Sequence, residues 1–592
     1  MAYFLLNFAL FLPLYLLSTD GSSFWPTLQF HSSQIGDTQR FISQVLFKQL
    51  AQYRNNFDIF RLNVEWAVLV ALWVLVAPWL HGRLRLLRGL GIILCILYLL
   101  GFYYYLYEAI TVSFFLVDPI FYNQYFMAID GLQFLMSHID LSLFTYVGAG
   151  VAVILVHFFI WWLLRILFRS EMASLRFHWS IRVGTLILAA LAIASVVRFK
   201  VALANPVMVA SSLSYKLEKN ITESLEIAHN VANYNEELVN RSYDYQGYTL
   251  LEKPNIYLIF VESYGSVLYK RPHFRPDYLR LLKELDEELA AHDWHSVSNF
   301  STSTTWGGGS WMAYNSFLFG LRIDVHPQFL YLRNRYRYAT YPDLGHYLKS
   351  QGYRYFRASS LSVEMTDSEW AQYIHYYGVD EWLRYRDLAY TGERYSWGPS
   401  PPDQYTLGFL HERMLESAPN QPHLAFLITQ NSHYPWRPLP QVIDDWHNFN
   451  QGSFPSPNAA KGLTGLDAQR ANYLAAIKNQ LSVMVHFITH VLSQQDENAI
   501  VVLVGDHQPP RVARRDDGFE TPIHIIGRDP ALVQTLAVFG FQPGLTVNDQ
   551  ANPIKHEGFY SMFMQLLIGL YGEEGVVPPP YKPNGVNIKV SH

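Results

Sequence analysis

Asn498-Ala-Ile-Val-Val-Leu-Val504 is an unbroken apolar, β-branched run, and it ends in Gly505-Asp506-His507. A short run of this kind, with little alternation, predicts a strand covered on both faces, and therefore a parallel sheet under helices. Gln508-Pro509-Pro510 then stops any continuation of the strand. Two other stretches follow the same pattern. Asn255-Ile-Tyr-Leu-Ile-Phe-Val261 runs into Glu262-Ser263, and His423-Leu-Ala-Phe-Leu-Ile-Thr429 leads into Asn431-Ser432-His433. In open α/β sheets ligands sit beyond the carboxyl ends of the strands. A carboxylate, a histidine and an Asp-His pair, hundreds of positions apart, are thus expected to meet at one edge of one sheet.

From residue 255 onward strand-like runs alternate with helix-like ones, which is the α/β pattern. Residues 466–494 read as a long amphipathic helix feeding the strand at 498–504. The densest Pro/Gly/Ser segments, 396–402 and 451–457, read as surface loops.

The first third of the chain is different. With 592 residues the protein is too long for one ordinary domain. Half of it is hydrophobic, only 16% is charged, and the mean hydropathy is +0.04, so part of it is expected to lie in lipid. Five candidate spans precede residue 200: 2–17, 64–80, 89–107, 143–168 and 181–197. Arg83, Arg85 and Arg88 follow the second span. Arg165, Arg169, Arg176 and Arg182 lie between the fourth and fifth. The stretch between the third and fourth carries acidic residues and no Lys or Arg. The positive-inside rule puts both Arg-rich turns in the cytoplasm and everything after residue 198 outside. The division expected is a five-helix membrane domain over 1–198, a juxtamembrane helical linker over 199–252 and an outer α/β domain over 253–592. A net charge of −5 implies no large basic surface for nucleic acid. The single cysteine, Cys95, excludes an internal disulfide and a Cys-rich zinc module.

Carboxylate oxygens with one imidazole suit Mn²⁺, Zn²⁺ or Mg²⁺, which makes Glu262, Asp506 and His507 the candidate metal ligands. A metal of this kind commonly serves a nucleophile. Residues 300–320 carry a hydroxyl cluster and three glycines before an apolar, helix-like stretch: Phe-Ser-Thr-Ser-Thr-Thr-Trp-Gly-Gly-Gly-Ser-Trp-Met-Ala-Tyr-Asn-Ser-Phe-Leu-Phe-Gly. Glycine allows close approach of an anion. A helix N-terminus offers unpaired N–H groups to phosphate oxygens, and a Ser or Thr there can be activated by a metal. Thr304, Thr305 and Ser310 are the candidates. His524, inside the strand-like Pro522–Ile526, reads as a satisfied strand residue, and Tyr103, Tyr104, Tyr105 and Tyr107 read as an aromatic belt.

The chain resembles the alkaline phosphatase superfamily in its sulfatase-like branch. Within that branch it is most similar to lipoteichoic acid synthases and related membrane phosphoglycerol or phosphoethanolamine transferases. The resemblance rests on Val261-Glu262-Ser263-Tyr264-Gly265, the hydroxyl-rich segment before Trp311, Ser432-His433-Tyr434-Pro435 and Gly505-Asp506-His507, in that order and behind a five-span anchor. It implies a multi-pass protein of a bacterial cytoplasmic membrane with an extracytoplasmic catalytic domain. One divalent ion, commonly Mn²⁺ in this branch, would be held by Glu262, Asp506, His507 and the nucleophile, with His433 beside the phosphate or leaving group. It further implies transfer of a phosphoglycerol or phosphoethanolamine-type head group from a membrane phospholipid to a glycan or lipid acceptor through a covalent Ser/Thr intermediate.

The departures matter as much. In lipoteichoic acid synthases the nucleophile is a Thr before Ser-Asp, a pattern missing here. Across the superfamily the nucleophile tends to lie ten residues before the Gly that closes its helix. Ser310 stands at that distance from Gly320, with Thr305 and then Thr304 as rivals. The Cys/Ser-x-Pro-x-Arg motif of sulfatases proper is missing, which disfavours sulfate-ester hydrolysis. The family's substrate-side Trp and Arg lack a clean counterpart; Arg357, after the strand-like Tyr353–Phe356, and Trp370 are the candidates for substrate binding. A hydrolase with water as acceptor, and a membrane scaffold without catalysis, are the competing readings.

Overall fold

The computed structural model describes residues 2–17, 62–80, 83–115, 117–138, 143–168, 179–202, 210–361, 366–396, 400–495, 498–513, 517–548 and 551–586. The chain divides into two compact units. One comprises Met1–Phe121 and Gly131–Glu226, the other Tyr122–Asp130 and Ile227–His592.

The first unit is helical. Helices Ala2–Leu17, Val64–Val76, Leu84–Phe115, Leu143–Leu167 and Trp179–Ala202 fall on the five predicted spans. Two stretches, Leu84–Val112 and Gly150–Leu167, are long and apolar enough to cross a membrane; the other three are shorter apolar helices. Leu6, Leu10, Trp66, Trp73, Tyr98 and Leu163 form the unit's apolar core. Part of the second Arg-rich turn, residues 169–178, lies outside the described residues. Over the expected linker the chain forms helices Leu213–Ala232 and Glu236–Ser242. A further helix, Phe121–His138, was not anticipated from the sequence.

The second unit is built on a nine-stranded sheet. Its strands are β1 (Asn255–Val261), β2 (His295–Thr302), β3 (Arg354–Ala358), β4 (Glu381–Leu383), β5 (His423–Ile428), β6 (Ala499–Gly505), β7 (Glu520–Gly527), β8 (Gln542–Pro543) and β9 (Ile554–Lys555). The order is β8-β2-β7-β6-β1-β5-β3-β4, with β9 paired to β2. From β6 to β4 every pairing is parallel, while β7 runs antiparallel to both β6 and β2. The sheet is therefore mixed and mostly parallel, as the apolar runs predict. β1, β5 and β6 are all but fully buried, which explains why they show no polar alternation.

Alternate side chains of β1 pack into opposite layers. Phe260 meets Phe317 and Phe426 on one face; Tyr257 meets Phe487 and His411 on the other. The long helix expected over 466–494 is interrupted. Gly465–His486 is α-helical, Phe487–Leu492 widens into a π-helical turn, and Ser493–Gln495 closes it.

His524 is a satisfied strand residue. Ser298 Oγ donates to the Gly544 carbonyl, so it accepts from His524 Nδ1 (2.6 Å), and Tyr264 donates its hydroxyl to Nε2 (2.8 Å). Burial pushes the pKa of His524 down to about 3, and that of His556 likewise. Unfolding returns each imidazole to an ordinary value of about 6.5. Between roughly pH 6.5 and 3 the unfolded chain binds more protons, so stability falls as pH falls, by about 1.4 kcal/mol per pH unit for each histidine. Replacing His524 with Gln is expected to flatten the slope of unfolding free energy between about pH 6 and 4 by roughly one proton, which denaturant titrations at several pH values would read.

Candidate active site

Three adjacent parallel strands end at one place. Val261 of β1 is in register with Gly505 of β6, and Phe260 with Ile428 of β5. The residues that follow, Glu262, Asp506 and the Thr429–His433 loop, therefore leave the sheet side by side. Gly505 is required there, since a Cβ would lie 1.9 Å from the Tyr264 carbonyl oxygen and 2.9 Å from Thr521 Cβ. Ser263 takes a left-handed φ of 58°, a strained value for a residue with a side chain. That turn lets Ser263 donate its N–H to Asp506 Oδ1 (2.8 Å) and its hydroxyl to Glu262 Oε1 (2.9 Å).

Glu262, Asp506 and His507 are buried, and one ligand atom from each lies within 4.8 Å of the other two. His507 Nε2 is 3.5 Å from Glu262 Oε1 and 3.4 Å from Asp506 Oδ2. His507 Nδ1 lies 2.9 Å from the Gln508 carbonyl. A carbonyl only accepts, so Nδ1 carries the proton and Nε2 turns its lone pair into the cluster, as a metal ligand must. Asp506 Oδ1 is occupied by two backbone N–H groups, whereas Oδ2 is buried without a hydrogen-bond partner. Burial, and then the Glu262 charge, push the pKa of Asp506 up to about 7. Burial alone would lower the pKa of His507, but Asp506 and Glu262 more than reverse this and raise it. Two crowded carboxylates, an orphaned oxygen and an inward lone pair fit a divalent cation.

The three candidate hydroxyls are placed differently. Ser310 opens the helix Ser310–Phe319, after Gly308 and Gly309 at φ of 64° and 71°. These left-handed glycines turn the chain from the loop into the helix. Ser310 Oγ donates to Glu262 Oε2 at 3.4 Å. Thr304 Oγ1 accepts instead from Ser316 (3.3 Å), and Thr305 Oγ1 is buried with no hydrogen-bond partner. Among the three, Ser310 is the hydroxyl hydrogen-bonded to a cluster carboxylate.

Residues 254–534 match the Sulfatase family model. The match covers just under half of the 592 residues, and over that segment the chain is similar to the Sulfatase family. No curated protein matches the chain. Similar solved structures include the lipoteichoic acid synthase LtaP of Listeria monocytogenes, at 15% identity and a TM-score of 0.38, covering 60% of this chain and 81% of that one. The periplasmic domain of EptC from Escherichia coli, in complex with Zn, is 12% identical with a TM-score of 0.36, covering 56% and 85%. The Streptococcus pyogenes phosphoglycerol transferase GacH, in complex with sn-glycerol-1-phosphate, is 12% identical with a TM-score of 0.36, covering 57% and 82%.

In this domain the loop after β5 both braces Glu262 and presents His433. Thr429 Oγ1 accepts the Glu262 N–H (3.0 Å), and Ser432 donates its hydroxyl to the Glu262 carbonyl (2.7 Å). His433 is half-buried, with Nδ1 donating to the Tyr434 carbonyl at 2.7 Å. Burial and, less strongly, the nearby His507 push its pKa down to about 4, so its imidazole is neutral at pH 7.

Sequence reasoning missed the residue that fixes this loop. Asp403, fully buried at the start of helix Asp403–Ser417, accepts the N–H groups of Gln430 (2.9 Å to each oxygen) and Asn431 (2.7 Å). Asn431 returns the contact, its Oδ1 accepting the Asp403 N–H at 2.7 Å. The sequence signal was only Pro401-Pro402-Asp403, indistinguishable from an ordinary helix start.

Arg357 and Trp370 lie among aromatic rings. Arg357, on β3, is 1% exposed, with its guanidinium 3.9 Å from the ring centre of Phe426, 4.1 Å from Tyr377 and 4.5 Å from Trp382. Trp370 packs on Trp382 at 4.6 Å. No described contact joins either residue to Glu262, Asp506 or His507. Arg357 does lie 5.5 Å from the ring of Tyr314, one turn along the helix from Ser310.

Two outcomes are expected. Chain stripped by chelation should take up one divalent ion per molecule, and Asp506→Asn should weaken that uptake by at least about 100-fold, since losing a mere outer-shell partner already costs 10–100-fold; metal analysis after dialysis reads both. Asp403→Ala leaves two buried N–H groups unpaired, at about 1–3 kcal/mol each. It should lower both melting temperature and turnover, with Asp403→Asn milder because one acceptor oxygen remains.

Proposed function

We propose that this protein is a membrane-anchored, metal-dependent transferase. It moves a phosphoglycerol or phosphoethanolamine-type head group from a membrane phospholipid to a glycan or lipid acceptor. The observation that carries this reading is Ser310, which places a hydroxyl 3.4 Å from a cluster carboxylate at the N-terminus of a helix. Unpaired N–H groups at such a terminus suit phosphate oxygens.

Glu262, Asp506 and His507 would hold the ion, for which Mn²⁺ is our first assignment and Zn²⁺ or Mg²⁺ the alternatives. When bound, it would supply positive charge to lower the pKa of the Ser310 hydroxyl and to neutralise phosphate oxygens. In the first step Ser310 Oγ bonds to phosphorus as the bond from phosphorus to the lipid alkoxide breaks. The serine proton ends on the departing lipid alcohol. In the second step the acceptor oxygen bonds to phosphorus, the bond to Ser310 Oγ breaks, and the acceptor's proton ends on Ser310. His433, neutral with its Nδ1 proton committed to the Tyr434 carbonyl, is suited to relay the second proton through Nε2. Arg357 and Trp370 are assigned to the substrate side, acting through the aromatic cluster that leads to Tyr314. Splitting one difficult transfer into two is the advantage of the covalent route. Anchoring by the apolar helices would keep the site among its lipid donors.

Ser310→Ala should lower turnover by roughly 10³-fold or more, while Thr305→Ala and Thr304→Ala keep most of it. With a head-group-labelled phospholipid, mass spectrometry of quenched enzyme should find the label on the peptide containing Ser310. Label released only as free head group, even with acceptor present, would make the protein a hydrolase. Loss of turnover in Thr305→Ala but not in Ser310→Ala would move the nucleophile.

A further inference from the structure

Three histidines gather at the end of the sheet opposite the catalytic cluster. The helix Arg275–Ala291 leads into β2, and the helical stretch from Gly465 to Gln495 leads into β6. β2 and β6 are both antiparallel to β7, so they start at the same end. His292 follows the first helix, and His486 and His490 lie near the end of the second. The seven residues of β6, about 20 Å of strand, separate this end from Asp506 and His507. No described contact joins any of the three to the catalytic cluster.

The rings of His486 and His490 stack with centres 4.3 Å apart and 19° between their planes, and His292 stands 5.9 Å from His490. With metal–nitrogen bonds of about 2.1 Å, two imidazoles on one tetrahedral ion have ring centres roughly 5 Å apart. The two observed spacings bracket that value. His490 sits in the π-helical turn Phe487–Leu492, and widened turns of this kind recur at functional sites. The ligand atoms of the three do not lie within 4.8 Å of one another, as those of Glu262, Asp506 and His507 do. His490 is exposed, so its ring can turn to close the gap while the backbone stays in place.

Each ring has one nitrogen held as a donor. His292 Nδ1 lies 2.9 Å from the Glu288 carbonyl, which only accepts. Thr489 Oγ1 gives its proton to the Val485 carbonyl (2.9 Å) or to Glu288 Oε1 (3.1 Å), and so accepts from His490 Nδ1 at 2.8 Å. A ring nitrogen of His486 donates to the Asp444 carbonyl. In a neutral imidazole the other nitrogen then carries a lone pair. Metal-binding histidines are oriented in this way, with one N–H tied to an acceptor and the second nitrogen left for the ion. Burial, and then His490, push the pKa of His486 down, which keeps its ring neutral at pH 7. Glu288 brings negative charge and a carboxylate oxygen to the same place.

We propose that His292, His486 and His490, with Glu288 beside them, form a second divalent-metal site, one that takes a nitrogen-preferring ion such as Zn²⁺, Ni²⁺ or Cu²⁺. Imidazole suits these ions, whereas carboxylate oxygens suit Mn²⁺ and Mg²⁺. The two sites thus divide by ligand chemistry, and Mn²⁺ uptake stays at the one ion of the catalytic cluster. An ion held by the histidines ties the end of the helix Arg275–Ala291 to the π-helical turn, and so braces the entries of β2 and β6. The site does not rest on the transferase reading.

The test uses the untagged full chain in detergent, with Asp506→Asn to weaken the catalytic cluster, and Ni²⁺ as the probe. Calorimetric titration should find one Ni²⁺ per chain with a dissociation constant at or below about 10 μM. Ni²⁺ should also raise the melting temperature, because it binds the folded arrangement. His486→Ala with His490→Ala should abolish both effects, and His292→Ala should weaken binding about tenfold. His490 is exposed, so His490→Ala alone should fold as the parent does and still weaken binding at least about tenfold. His375→Ala, at an exposed histidine elsewhere, should change neither. With Cu²⁺ in place of Ni²⁺, electron paramagnetic resonance should show coupling to at least two imidazole nitrogens. A dissociation constant above about 10 μM, or binding unchanged by His490→Ala, overturns the proposal and leaves surface imidazoles that bind metal only adventitiously. Coupling to fewer than two nitrogens overturns it as well. No turnover enters these readouts, so they stand or fall separately from the chemistry of Ser310.

Discussion

Two carboxylates buried side by side repel each other, and nothing in an apolar interior screens them. Glu262 and Asp506 are held in that position by the backbone, because parallel strands β1 and β6 are in register to their last residues. The surrounding structure does little to discharge them: Asp506 Oδ2 has no hydrogen-bond partner, and the His507 imidazole turns a lone pair toward them. A divalent cation resolves this conflict, and the rest of the site is arranged around that need. The strained Ser263, the side-chain-free Gly505 and the loop that braces Glu262 from β5 all serve to keep charged groups close that would otherwise separate.

The same constraint explains how chemistry is distributed along the chain. The central strands β1, β5 and β6 are apolar and buried, and none carries an Asp, Glu, Lys or Arg before its end. At the ends the backbone leaves the sheet and polar side chains become affordable. The hydroxyl arrives from a different direction, on a helix entered through two left-handed glycines. Asp403 completes the arrangement from behind by anchoring the loop that carries His433.

Much of this was legible because a covered parallel strand leaves an unusual signature. Runs such as Ile500–Val504 have no polar alternation, so their ends are sharp, and the ligand-type residues after them stand out. Two of the N-terminal helices were legible for a similar reason, Leu84–Val112 and Gly150–Leu167 being apolar over span length. Legibility failed where a residue's role depends on its partner. Asp403 looks like any helix-opening aspartate until the N–H groups of Gln430 and Asn431 are seen on it. The π-helical turn at Phe487–Leu492 is invisible in an amphipathic pattern, because a single widened turn barely shifts the periodicity.

By itself the sequence determined that strands end in Glu262, His433 and Asp506-His507, and that an apolar helical region precedes an α/β domain. Those are properties of local composition, set by which side chains a buried strand or a lipid-facing helix can accept. Only the tertiary structure decided which hydroxyl meets the carboxylates, placing Ser310 rather than Thr304 or Thr305 against Glu262. It also decided that Arg357 is enclosed by aromatic rings. These depend on strand register, helix entry angle and contacts between distant segments, which no single stretch of chain encodes.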